Sequence, residues 1–156
     1  MYKYIAAFFI SMVPLIELRA GVPFAIGMGI DHFAAIALCA IGNITPVPFV
    51  YFFARKFLLW GENKKHIGGI CRFFLEKGEK AGRKLTAKTG RYGLFMALVL
   101  FVGIPLPGTG AWTGTLAASF LNMGFKSTVA AVILGVLLAG VIMAVASTGV
   151  FSIIGL

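Results

Sequence analysis

Acidic side chains are scarce in this chain: five Asp and Glu stand against fourteen Lys and Arg in 156 residues, for a formal net charge of +9. Charged residues make up only 12% of the sequence, 60% is hydrophobic, and the mean hydropathy of +0.97 lies outside the range of soluble globular domains. So few acids leave no paired acidic dyad. Histidine is equally thin, with His32 and His66 far apart and no ligand spacing around either, so no metal is expected. No Ser-His-Asp set occurs, and Gly78-Glu-Lys-Ala-Gly82-Arg-Lys84 has the wrong spacing for a Walker A loop. Neither an enzyme, nor a cofactor, nor an ATP-driven cycle is expected of this chain. Of the two cysteines, Cys39 falls in an apolar block and Cys71 in a basic linker, where unlike depth and reducing surroundings exclude a disulfide.

What the sequence has in abundance is apolar length. Four blocks, roughly residues 4–30, 32–54, 92–121 and 127–155, each meet the ~20 residues that a spanning helix needs. They define one integral membrane domain over residues 1–156, with a first half at 1–54, a linker at 55–91 and a second half at 92–156. Met1-Tyr-Lys3 before an apolar run imitates a signal peptide, but Arg19 beside Leu18-Arg19-Ala20 makes a poor cleavage site. The linker holds Arg55, Lys56, Lys64, Lys65, Arg72, Lys77, Lys80, Arg83, Lys84, Lys88 and Arg91 against Glu62, Glu76 and Glu79. Such a basic tract sets orientation and faces the cytoplasm, which accounts for the charge without nucleic acid as a partner. Ile67, Ile70, Cys71, Phe74, Ala81 and Leu85 can share one helical face, as in an amphipathic helix lying in the headgroup layer. Gly68, Gly69, Gly78 and Gly82 keep a solvated loop as the alternative.

The two halves read alike. Each begins with a proline-broken block, with Pro14-Leu15 in the first matching Pro105-Leu106 in the second, and Gly29-Ile30 lining up with Gly124-Phe125 after about one extra helical turn. Matching interruptions in two halves are the pattern of transporter repeats. Either all four blocks cross, or the broken blocks are re-entrant hairpins and only the second and fourth cross. The hairpin arrangement is preferred, because one crossing then inverts the second unit against the first and brings the broken tips together near the midplane.

The costliest residues sit in the first break. Pro14-Leu-Ile-Glu17-Leu-Arg19-Ala-Gly21-Val-Pro23 places a carboxylate and a guanidinium at bilayer depth, where each costs at least about 2.5 to 3.5 kcal/mol. Broken backbone is tolerated there only inside protein or beside a wet cavity. In an unwound tip, Glu17 and Arg19 can both reach one polar cavity, Arg19 holding an anion and Glu17 exchanging a proton or binding a cation. The alternative is a buried ion pair that closes the hairpin. The second break, Gly103-Ile-Pro105-Leu-Pro107-Gly108-Thr109-Gly110, carries no charge, but its glycines leave amides open for an anion-binding nest. Gly110 and Gly114 can also serve close packing of the two tips. A third polar patch, Gly42-Asn43-Ile-Thr45-Pro46-Val-Pro48, can line the same cavity or hydrogen bond to carbonyls freed by the prolines, and Asp31 reads as the N-cap of the next helix.

With these two breaks in view, the sequence resembles the putative small multidrug export family over essentially its whole length. That family is similar to the DedA or VTT membrane proteins, whose pattern is two inverted hairpin-plus-helix repeats with a glutamate in the first hairpin and arginines in the second. The resemblance implies ion-coupled or passive movement of phospholipids or polyprenyl phosphates. It places Glu17 on the acidic position and Pro23 on a nearby proline. The arginines have no counterpart around Pro105 and Pro107, so Arg19 would have to supply the cation.

The expectation is thus an all-α membrane protein of two inverted repeats, each a re-entrant hairpin plus a transmembrane helix, in a prokaryotic plasma membrane with residues 55–91 cytoplasmic. Its site is expected at Glu17, Arg19, Gly21, Asn43, Gly108, Thr109 and Gly110, with hairpin breaks at Pro14, Pro23, Pro105 and Pro107. The expected activity is secondary transport of an amphipathic, anionic, lipid-like substrate, with H+ or Na+ as coupling ion. Alternatives are proton-coupled export of lipophilic cations through Glu17, and a membrane scaffold without transport. Membrane lipids are the expected surroundings. A homodimer is expected, because one short chain is thin for enclosing a path, with the Ala/Gly-rich face near Gly135 and Gly140 as one candidate surface.

Overall fold

The computed structural model describes residues 2–14 and 16–154, and among these the side chains at 74, 78, 81, 82, 85 and 151–154 lie outside the description. Leu15 of the first break, and Phe74, Ala81 and Leu85 of the expected linker face, therefore lie outside the described residues or side chains. The elements are α1 (Tyr2–Met12), α2 (Glu17–Gly27), α3 (His32–Ile44), α4 (Val47–Glu62), α5 (Gly68–Gly103), α6 (Ala111–Phe120) and α7 (Phe125–Ile154). All regular structure among the described residues is helical. Two stretches are long and apolar enough to cross a membrane, His32–Glu62 and Phe125–Val150.

α1 and α2 have 11 residues each, about 16 Å apiece, roughly half of the ~30 Å hydrocarbon core. Pro14 biases the residue before it away from helix, and the chain turns back between Met12 and Glu17. The return is plain at the far end, where Lys3 Nζ donates to the carbonyls of Met28 and Gly29 at 3.1 and 3.4 Å. Pro23 is a correction. It lies inside α2 instead of at a break. The turn is complete by Glu17, so Pro23 removes only the donor that would meet the Arg19 carbonyl.

α5 and α6 turn back in the same way, with Gly114 of α6 packed on Val102 and Leu98 of α5. The two hairpins agree in detail. Gly21 abuts Ser11 as Gly114 abuts Val102, and a side chain on Gly42 would strike the Phe8 carbonyl and Ser11 as one on Gly135 would strike the Val99 carbonyl and Val102. Both second helices end in a left-handed residue followed by a six-to-one hydrogen bond. Gly29 (φ 71) precedes Ile30 N–H to Ala25 C=O at 3.0 Å, and Asn122 (φ 56) precedes Met123 N–H to Ala118 C=O at 2.9 Å. The geometric match of Gly29 is therefore Asn122, not Gly124. Ser11 to Gly21 spans ten positions and Val102 to Gly114 twelve, so the second turn is longer by two residues and not by a helical turn.

Asp31 caps α3, its Oδ2 accepting from the amides of Phe33 (3.0 Å) and Ala34 (3.3 Å). α3 and α4 are interrupted at Thr45-Pro46, as the proline requires. The Thr45 hydroxyl donates back to the Ile41 carbonyl of its own helix at 2.7 Å, not to a carbonyl freed by the prolines. The linker is helical. α4 runs on through Arg55 and Lys56 to Glu62, and α5 continues from Gly68 into the second hairpin with one kink at Gly90 (φ 69, ψ 176). Its inward face differs from the expected one: Cys71 is buried while Ile70 is 62% exposed.

α7 lies against α2, α3 and α5. The small residues of α7 make that possible, since a side chain on Gly135 would strike Val102 and one on Gly140 would strike Ile36. Both glycines are consumed within the chain, which removes them as the expected dimer surface.

Candidate functional site at the junction of the hairpin tips

The first residue of α2, Glu17, has a left-handed backbone (φ 52), a conformation that costs a non-glycine residue on the order of 1 to 3 kcal/mol and persists where surroundings enforce it. What enforces it lies across the fold. The Glu17 carboxylate is 2% exposed and accepts two amides of the opposite hairpin, Ala111 N–H to Oε2 at 3.2 Å and Trp112 N–H to Oε1 at 3.1 Å. Those are the first amides of α6, whose own N-cap position is Gly110 without a side-chain oxygen. Glu17 therefore caps α6 from the other half of the chain, its charge set against the positive end of the helix dipole. A Cβ on Gly110 would fall onto that carboxylate, and Gly110 has φ 138, open to glycine and little else.

Arg19 also reaches across. Its guanidinium donates to the Thr109 carbonyl and, at 2.6 Å, to the Thr109 hydroxyl. That hydroxyl is in turn placed to donate to the Ile104 and Leu106 carbonyls at 2.8 Å, closing the turn of the second hairpin on itself. In the reverse direction, Trp112 Nε1–H donates to the Met12 carbonyl of the first hairpin at 3.2 Å. Each tip thus holds the backbone of the other. Among the described residues the ion pairs are Arg72–Glu62 and Arg83–Glu79, so Glu17 and Arg19 do not close the hairpin as a pair. Nor does Glu17 face the expected open cavity, because the two amides it binds take that place.

The remaining expected residues separate. Gly108 (φ 83), Thr109 and Gly110 form the opposing wall at the tip. Gly21 packs on Ser11 and Cys39 between α1, α2 and α3, so its role is close approach of helices. Asn43 is fully buried, and neither its Oδ1 nor its Nδ2 meets a protein partner; the Thr113 hydroxyl nearer the tip is in the same position. Sequence reasoning missed a second clamp, in which the buried Tyr51 hydroxyl donates to the Met123 carbonyl and Ser119 Oγ donates to the Tyr51 carbonyl at 3.1 Å. The signal was a lone phenol in the run Phe49-Val-Tyr51-Phe-Phe53, since a buried tyrosine hydroxyl needs a partner.

Fold and junction together define an all-α membrane protein whose two broken segments interlock. The chain belongs to the family described as "Putative small multi-drug export protein", whose model matches residues 17–142, from the start of α2 through the second tip and into α7. No curated protein and no solved structure matches the chain.

Proposed function

We propose that this chain is a small secondary transporter in a prokaryotic plasma membrane, built as two inverted repeats whose re-entrant hairpins meet at mid-membrane and form the gate. The matched contacts of Ser11, Gly21 and Gly42 with those of Val102, Gly114 and Gly135 support the repeat. The observation that carries the reading is the Glu17 carboxylate held by the Ala111 and Trp112 amides. Those amides, with Arg19 beside them, make a receptor for an anionic group, and in the closed junction Glu17 is its resident anion. A hydrogen bond to a charged group is worth ~1.5 to 3 kcal/mol, so neutralising Glu17 with a proton loosens the cap and frees the receptor for the anionic head of an amphipathic, lipid-like substrate. Proton entry and substrate binding then alternate at one place. Na+ in place of H+ would leave E17Q unable to bind the ion, with no dependence of flux on a pH gradient. Transport rather than enzymatic chemistry is the role proposed, and a homodimer would widen the path.

Reconstituted flux of an anionic lipid tests this. E17Q, which stays neutral and so cannot displace the substrate by deprotonation, and R19A are each expected to lower flux about tenfold or more, the worth of ~1.4 kcal/mol. Export of lipophilic cations through Glu17 would instead survive R19A, because that change removes a repelling charge. Wild-type flux in both variants would reject the junction as the gate, and absence of flux in the wild type as well would leave a scaffold.

A further inference from the structure

We infer that the cavity between α5 and the α6–α7 turn is a binding site for the phosphate of a bilayer lipid, separate from the tip junction and sharing no residue with it. The cavity holds about 710 Å³, within the range of ligand pockets. Its polar wall is built from Arg83, Thr86, Arg91, Asn122 and Ser127, with Glu79 the one acid among the described residues lining it. Glu79 is already neutralised, since Arg83 donates to its Oε1 at 2.6 Å. The Asn122 amide oxygen is likewise engaged, accepting from Arg55.

Arg91 is left over. It makes no hydrogen bond or ion pair among the described residues, and the kink at Gly90 sets it at the head of the straight segment of α5 that enters the second hairpin. A guanidinium has five N–H donors, so Arg83 keeps several beyond the one given to Glu79. Two such forks with the hydroxyls of Thr86 and Ser127 suit a phosphate, which accepts paired N–H groups from arginine.

The floor of the cavity says what carries the phosphate. Leu94, Leu121 and Met123 line it, and the same three residues line an apolar groove of about 150 Å³ that continues along the hairpin past Ala97, Leu98, Phe101 and Ala117. A basic chamber opening into an apolar groove matches a phosphate head on a hydrocarbon tail. A free phosphate would use the first and leave the second empty.

Native mass spectrometry of the full-length protein in detergent tests the assignment with three probes: dioctanoyl phosphatidic acid, dioctanoylglycerol and inorganic phosphate. Phosphatidic acid is expected to bind at least tenfold more tightly than either other probe. The double variant R83Q/R91Q is expected to lose that binding tenfold or more, while K80Q, which removes an exposed cation from the same helix outside the cavity, changes it less than twofold. Filling the groove with A117F should weaken phosphatidic acid several-fold. Equal losses in K80Q and R83Q/R91Q would mean diffuse charge and overturn the site. Equal binding of dioctanoylglycerol would overturn the role of phosphate, and equal binding of inorganic phosphate, insensitive to A117F, would overturn the lipid. Because R83 and R91 are polar-wall residues, helicity by circular dichroism should match wild type, and R91Q alone supplies the comparison if the double variant unfolds.

Discussion

At the scale of single residues, the junction depends on a complementarity between Glu17 and Gly110: one supplies the anion, and the other supplies the absence of a side chain that lets it approach. Two glycine substitutions separate approach from backbone strain. Gly108 and Gly110 both have positive φ, yet a Cβ on Gly108 meets nothing within 4 Å while one on Gly110 meets the carboxylate. G108A should therefore lose about 1 to 2 kcal/mol from strain alone. G110A should lose in addition the ~1.5 to 3 kcal/mol of a displaced charged hydrogen bond, and denaturation in one detergent would read the difference. Equal losses would mean that the cap contributes nothing. Glu17 and Arg19 were legible in the sequence because ions at bilayer depth are expensive and rarely placed without use. Their partners were not. A backbone amide carries no sequence signature, and Ala111 lies 94 residues from the carboxylate that it binds.

At the scale of elements, proline position marked the breaks between α1 and α2, between α3 and α4 and between α5 and α6, but Pro23 shows the limit of that signal. A proline ends a helix only where the chain has somewhere else to go, and α2 had already begun at Glu17. Glycine was harder to read than proline. In a helix interior it costs ~1 kcal/mol against alanine, so its use must be sought in what sits against it. Gly42 touches the Phe8 carbonyl, while Gly69 has open space around it. G69A is expected to raise stability by somewhat under 1 kcal/mol. G42A is expected to lower it by about 1 to 3 kcal/mol, the usual cost of overpacking. Thermal unfolding of both in one micelle would check the pair, and stabilisation by G42A would break the correspondence with Gly135 on which the repeat rests.

At the scale of the whole molecule, the proposed two crossings, against four, can be tested from element lengths. The stretch His32–Glu62 is about 46 Å long, more than the ~30 Å core requires, so in the proposed topology its last turns with Arg55 and Lys56 extend into the headgroups. The exposed Trp60, with Lys64 Nζ 4.7 Å above its ring, is the kind of aromatic and basic pair that anchors at that level. The paired 11-residue helices α1 and α2 reach only about half as far and return, with Lys3 beside Gly29. Cys39 and Cys71 are 0% and 3% exposed, so the native chain should label poorly with a membrane-impermeant maleimide, and introduced cysteines can report position. In intact cells Tyr2→Cys should label, because Tyr2 is 72% exposed and the proposed topology has the first hairpin enter from outside. Asn63→Cys, in the exposed turn between α4 and α5, should label only after permeabilisation. Four full crossings would protect both positions in intact cells. Labelling of Tyr2→Cys alone requires that the first hairpin return to the side it came from, and with the linker held inside by its charge the second hairpin must then enter from the cytoplasm.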